Sequence, residues 1–245
     1  MGLDLGIHPP NPVPVATVIL TRPGALSGAL RVGGRVEPLH ALKVTGAGMH
    51  RIWTAAGRPK GAPRPPDPAE HERWSRAIGA LGLETWLRLR ELHYAIVGVG
   101  RTGSLLATSL ARLGAQSLTL IDPDRLEIHN VDAMDGVRVA DVGRAKVDAL
   151  RDSLAEVSAS PERLTALAAS VTSVRALVAA KAADVLIASV DTDAARLSCA
   201  TIAALYAKPL LDIGTGVHGV GDGRRLGADV RLVVPGDRCL LCLGA

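Results

Sequence analysis

The chain contains no phenylalanine, two tyrosines and three tryptophans in 245 residues. A core with so few rings must be built from Ala, Val, Leu and Ile, which suits close packing of helices on a parallel sheet. The same scarcity removes aromatic stacking platforms, and there is no long Lys/Arg block. Lys plus Arg exceed Asp plus Glu by only 28 to 24. Nucleic acid is therefore not the expected partner. Lysine itself is rare, five of the 28 cationic residues. No apolar run approaches the ~18 residues that span a bilayer. The opening Met-Gly-Leu-Asp lacks the basic and apolar regions of a secretory leader. No membrane partner and a cytoplasmic location are thus expected. Three cysteines, Cys199, Cys239 and Cys242, are too few for a disulfide framework in a chain this long.

Residues 1–56 read as a small β-rich segment: "PVATVILT" and "GALRVGGRVEPL" alternate around a Gly33-Gly34 turn. Residues 57–70 hold five prolines and read as a linker. A helical stretch follows over 71–93, entered through Asp67-Pro68-Ala69-Glu70 and ending in the amphipathic "ETWLRLREL". From Tyr94 onward, strands are predicted at 94–99, 117–122, 164–168, 184–189 and 209–213. Helices are predicted at about 103–114, 143–156, 171–181 and 192–206. This alternation predicts an α/β fold, a doubly wound and mostly parallel Rossmann-like sheet with helices on both faces. After Gly216 the sequence reads as an antiparallel hairpin that ends in a Cys pair.

One stretch carries chemistry: "YAIVGVGRTGSLLATSLARLGAQSLTLIDPDRLEIHN", Tyr94 to Asn130. Gly98 permits a tight turn, Gly100 lets a phosphate approach the backbone, and Gly103 lets helix and strand pack closely. The following helix offers free N–H groups and the positive end of its dipole to an anion. Asp122 closes the second strand, where a carboxylate can bind ribose hydroxyls. A nucleotide site is indicated; these residues alone leave NAD and ATP both open.

The residues after Asp122 separate the two. Asp122-x-Asp124 is followed by Asn130 and by Val142-Gly143-Arg144-Ala145-Lys146, then by "VLIASVDTDAAR" with Asp191; upstream stands "RWSRAI", with Arg73 and Arg76. In order and spacing these pieces, from about Glu70 to Cys242, resemble the ThiF/MoeB/HesA superfamily of ubiquitin-activating-enzyme-like adenylyltransferases. The resemblance implies ATP-dependent adenylation of the C-terminal carboxylate of a ubiquitin-like or sulfur-carrier protein, with release of pyrophosphate. It implies that 71–245 is the adenylation domain, that ATP and Mg²⁺ are used, and that the protein is a homodimer. Lys146 would contact the α-phosphate and Asp191 would hold Mg²⁺. Asp122 would bind ribose, while Asp124 and Asn130 would shape the phosphate end. Arg76 would reach the β,γ-phosphates from the partner subunit, carried across the interface by a helix whose apolar face needs somewhere to pack. Gly214, Gly216 and Gly219 would line the path of the carrier's tail.

Plainer readings stand beside these. Lys146 could be a solvated cation, Asp191 the cap region of the next helix, and Arg76 a residue lying along an amphipathic face. Two positions depart from the family pattern: Ala133, where a second phosphate-binding arginine is usual, and Arg101, where Gly or Ala is usual. Ala133 keeps open a degenerate nucleotide-binding partner of an active homologue. The glycine loop and Asp122 alone keep open a NAD-dependent oxidoreductase. Cys239-x-x-Cys242 resembles half of the family's four-thiolate zinc site. The second pair is absent and the chain stops three residues later, so a truncated C-terminus is expected. Cys199 is expected in the core.

Overall fold

The structure is a computed structural model and describes residues 15–22, 25–32, 34–39, 41–44, 50–53, 64–236, 239–240 and 242. The chain divides into two compact units, Met1–Ala62 and Pro63–Ala245. In the first, β1 (Val15–Arg22), β2 (Ala25–Val32) and β3 (Arg35–Pro38) form an antiparallel sheet in that order, with Val32 opposite Arg35; Gly33 of the expected turn lies outside the described residues. β4 (Ala41–Val44) and β5 (His50–Trp53) pair as a separate ribbon.

The second unit opens with α1 (Pro68–Arg73), α2 (Ser75–Leu81) and α3 (Leu83–Glu91). The predicted single stretch over 71–93 is thus broken in two places, at Trp74 and at Gly82, whose φ of 79° no ordinary helix residue adopts. Asp67 caps α1 as its lead-in predicted. Its carboxylate accepts from the Glu70 N–H at 2.9 Å, and the Glu70 carboxylate accepts from the Asp67 N–H at 3.1 Å. Trp74, Ile78 and Trp86 form an apolar cluster of their own, with Trp86 fully buried. Their two indole N–H groups donate to the carbonyls of Arg112 (2.9 Å) and Leu113 (2.8 Å). The buried Arg90 guanidinium lies 5.6 Å and 4.7 Å from the two indole centroids and pairs with Glu70 at 3.0 Å. Burial would raise the Glu70 carboxyl, but Arg90, the Asp67 N–H and Arg64 together outweigh it and hold the group below its ordinary value. The apolar face of "ETWLRLREL" therefore packs within its own chain, on the end of the first Rossmann helix. It supplies no argument for a dimer.

Beyond it run β6 (His93–Val97), α4 (Arg101–Leu113), β7 (Ser117–Ile121), α5 (Lys146–Ala155), β8 (Leu164–Leu167), α6 (Val174–Ala182), β9 (Val185–Ala188), α7 (Asp193–Leu205), β10 (Leu210–His218) and β11 (Arg225–Val233). The sheet order is β11-β10-β9-β6-β7-β8, parallel except for β11, which returns antiparallel on β10. One face is covered by α4 and α5 through Ala107, Ala111, Val147, Leu150 and Leu154. The other is covered by α6 and α7 through Ala176, Ala180, Cys199, Ile202 and Ala203. Small side chains bring helix and sheet together, as the missing phenylalanines require. Two helices start three residues later than predicted, at Lys146 and Val174. Residues 143–145 are instead stitched to the loop after β7, by Leu126 N–H to Arg144 O and Gly143 N–H to Leu126 O, each 2.8 Å. Ser173 serves as the cap of α6.

Candidate functional site

Strand order reverses between β6 and β9, so the loops leaving their C-terminal ends diverge and leave a crevice. The crevice is a cleft of about 520 Å³. It gathers Gly98, Gly100, Asp122, Asp124, Lys146 and Asp191 from the predicted set, together with Arg101.

Gly98 has φ 82°, and a Cβ there would lie 2.8 Å from the Ser189 carbonyl carbon. A Cβ on Gly103 would lie 2.9 Å from the Gly98 carbonyl carbon and nearer still to its oxygen. Gly103 lies beneath the loop, as close helix–strand packing predicted. A Cβ on Gly100 would meet nothing within 4 Å.

Asp122 is buried and binds the loop directly. One carboxylate oxygen accepts from the Val99 N–H and the other from the Asp124 N–H, both at 2.9 Å. Burial pushes its pKa up, against the pull of those two amides and of Lys146. Lys146 opens α5 with its ammonium 2.8 Å from Asp124, and its side chain is only 13% exposed. It is therefore no solvated surface cation. The backbone sets this meeting, because Lys146 N–H also donates to the Asp124 carbonyl at 3.0 Å. Asp191 lies in the loop that follows β9, exposed on the cleft wall. The cap of α7 is Thr192, whose hydroxyl accepts from the Ala195 N–H at 3.3 Å. Asp191 is thus released from the capping role that its position in sequence allowed.

Gly103, Arg73, Arg76, Asn130 and Ala133 lie outside the cleft lining. Asn130 turns its side-chain oxygen onto the Glu127 N–H at 2.9 Å and shapes the turn after Asp124. Ala133 sits in the following turn, bonded back to the Asn130 carbonyl. Arg76 is exposed on α2, while Arg73 is committed to the Val157 carbonyl at 2.6 Å.

Other parts of the site were not read from the sequence. Ser170, Ser189 and Thr215 also line the cleft. Arg196 on α7 bonds the carboxylate of buried Asp212 on β10 and donates to the Val190 carbonyl at 3.0 Å, which ties the Asp191 loop to the sheet. No sequence signal marks that pair, whose members lie 16 residues apart. Beside the cleft a trough of about 370 Å³ includes Gly214, Gly216 and Gly227, is flanked by Asp193 and Arg196, and shares Thr215 with it. Gly219 lies outside both.

The Cys239 and Cys242 sulfurs are 3.5 Å apart. Among the described residues no group of three or more His, Cys, Asp or Glu could hold a metal. The pair would supply only two of the four ligands that a structural zinc needs. Cys199 is buried in α7, where burial pushes its thiol up to about 12, so it is a core residue. Among the described residues no helix is long and apolar enough to cross a membrane.

Comparison with known proteins agrees with this geometry. The chain is 30% identical over 112 residues to tRNA threonylcarbamoyladenosine dehydratase 1 of Saccharomyces cerevisiae, covering 44% of this chain and 26% of that protein. It is 33% identical over 144 residues to the adenylyltransferase and sulfurtransferase uba4 of Aspergillus terreus, covering 58% and 30%. The chain thus spans about a quarter to a third of these relatives. The crystal structure of the Escherichia coli tRNA N6-threonylcarbamoyladenosine dehydratase TcdA in complex with ATP superimposes with a TM-score of 0.53 at 21% identity, covering 61% of this chain and 67% of that one, a likeness of fold. The ThiF family model matches residues 74–243, from Trp74 through the whole Rossmann sheet to the Cys pair, and the chain belongs to the ThiF family.

Proposed function

We propose that the protein binds ATP in the β6–β9 cleft and adenylates a carboxylate, that of the C-terminal tail of a ubiquitin-like or sulfur-carrier protein. The observation that carries this reading is the joining of two spaces at Thr215. A cleft with Lys146 and Asp191 on its walls meets a trough containing three glycines, Gly214, Gly216 and Gly227. A thin, extended peptide tail suits such a trough, since small residues let backbones approach closely. The relative named adenylyltransferase and sulfurtransferase supports the choice of reaction, and one named ubiquitin-like modifier-activating enzyme 5 supports the choice of partner.

In this reading Asp122, already bonded to the glycine loop, presents its carboxylate edge to the ribose. Gly98 and Gly100 admit the phosphates to the start of α4. Lys146 exchanges Asp124 for the α-phosphate, where its charge stabilises the crowded phosphorus of the transition state. Asp191, a hard oxygen donor on the cleft wall with no hydrogen bond or ion pair among the described residues, suits a Mg²⁺ ion shared with substrate phosphates, which would neutralise their charge. The carboxylate oxygen attacks the α-phosphorus, and pyrophosphate leaves. Asn130 acts at one remove, by holding the turn that follows Asp124. Arg76 lies outside its own cleft, so a role at the β,γ-phosphates would require a second copy of the chain. Arg76→Ala and Asp191→Ala, each inactive alone, would then regain exchange when mixed and re-associated.

A second reading places the carboxylate on RNA. It is favoured by the relatives named tRNA threonylcarbamoyladenosine dehydratase, from yeast and from Bacillus subtilis. ATP–pyrophosphate exchange decides between them: stimulation by a carrier protein with a free Gly-Gly terminus supports the first, and stimulation by tRNA alone overturns it in favour of the second.

A further inference from the structure

Attack on the α-phosphorus forms one P–O bond and breaks the bond to the oxygen that bridges the α- and β-phosphorus atoms. The electron pair of the broken bond leaves on that oxygen with pyrophosphate, and no proton has to move. Negative charge accumulates on the departing β,γ end, so a cation fixed there lowers the barrier.

The cleft is poor in such cations. Its described lining has two, Lys146 and Arg101, against three carboxylates, Asp122, Asp124 and Asp191. Lys146 is held by Asp124 at 2.8 Å. Arginines outside the lining are committed elsewhere: Arg125 to the Gly143 carbonyl at 2.7 Å, Arg144 to Asp141 at 2.6 Å, and Arg196, beside the cleft, to Asp212 and to the Val190 carbonyl at 3.0 Å. The Arg101 guanidinium has no hydrogen bond or ion pair among the described residues, and it is exposed on the cleft wall.

Its placement fits the need. Arg101 is the first residue of α4, directly after Gly100, where the helix leaves its first N–H groups unpaired. The Ser104 hydroxyl donates to the Arg101 carbonyl at 3.1 Å and accepts from the Asp135 N–H at 2.9 Å. That hydroxyl clamps the segment Asp132-Ala133-Met134-Asp135 against the turn of α4 that carries Arg101. The segment brings no cation of its own.

Resting on the adenylation reading, we infer that Arg101 binds the β,γ-phosphates of ATP and the departing pyrophosphate. Its planar fork of donors matches phosphate oxygens better than an ammonium does.

Calorimetric titrations of the whole chain with MgATP and with AMP test this, on wild type, Arg101→Ala and Arg101→Lys. Loss of a charge-assisted contact predicts about a 10- to 100-fold weaker ATP affinity for Arg101→Ala. AMP affinity should be unchanged, which also reports an intact fold, and Arg101→Lys should recover part of the loss. If wild type prefers ATP to AMP and Arg101→Ala keeps that preference in full, the inference is overturned while the nucleotide reading stands. Equal loss of ATP and AMP affinity in Arg101→Ala overturns it too, because the residue would then serve the fold. A wild type with no preference for ATP over AMP removes the adenylation reading and this inference together.

Discussion

The glycine loop contains two sites, three residues apart, at which one added methyl group should do opposite things. At Gly103 the methyl would lie 2.9 Å from the Gly98 carbonyl carbon and closer to its oxygen, at least 0.5 Å inside the 3.4 Å where ordinary contact begins. The obstacle is backbone, so no side chain can swing away. The loop itself must move, and with it the Val99 N–H that holds Asp122. Gly103→Ala gains up to about 1 kcal/mol of helix propensity, against an overpacking cost of about 1–3 kcal/mol and a weakened bond to a buried carboxylate of about 1.5–3 kcal/mol. A net loss of about 1.5–5 kcal/mol is expected. At Gly100 the methyl meets nothing within 4 Å, and the backbone there is extended, so Gly100→Ala should change stability by less than about 1 kcal/mol. It should nevertheless weaken ATP, because the methyl occupies space on the cleft wall. Urea unfolding beside ATP titration separates the two effects. A Gly103→Ala protein as stable as wild type, or a Gly100→Ala protein that is unstable, would refute the loop geometry.

Three other perturbations follow from the same structure. Trp86→Ala, at a fully buried ring that also donates to the Leu113 carbonyl, should cost about 3–5 kcal/mol in a urea melt. His93 is half-buried against Thr119 at 2.8 Å, and burial pushes its pKa below 6.5. The unfolded chain therefore binds the proton first, and wild type should lose stability as pH falls through about 6.5, a slope that His93→Gln should reduce between about pH 7.5 and 5.5. Asp191→Asn should lower ATP–pyrophosphate exchange by about 100-fold with an unchanged circular dichroism spectrum. A shifted spectrum would assign Asp191 to the fold instead.

What could be read in advance divides along a physical line. The strand–helix alternation and the close packing at Gly103 are local properties of the chain, and both are found where periodicity and spacing placed them. Lys146 and Asp124 were identified by motif order. Their 2.8 Å contact depends on residues 143–146 pairing back on the loop after β7, which no periodicity reports. The pair of Arg196 with Asp212 is likewise tertiary, a charge on one element answered by a charge on another. The largest change concerns "ETWLRLREL". Amphipathicity showed a face that must be buried, but it carries no information about what buries it. The answer is the C-terminal turn of α4, in the same chain.

ATP and NAD make opposite demands on this cleft, one needing cations around a triphosphate and the other a nicotinamide pocket. Calorimetric titration of the whole chain with MgATP and with NAD, on wild type and on Lys146→Ala, separates them. Wild type should bind MgATP more tightly than NAD, and Lys146→Ala should lose most of that preference. NAD binding as tight as ATP binding, or a preference that survives loss of Lys146, would contradict an adenylation site between β6 and β9.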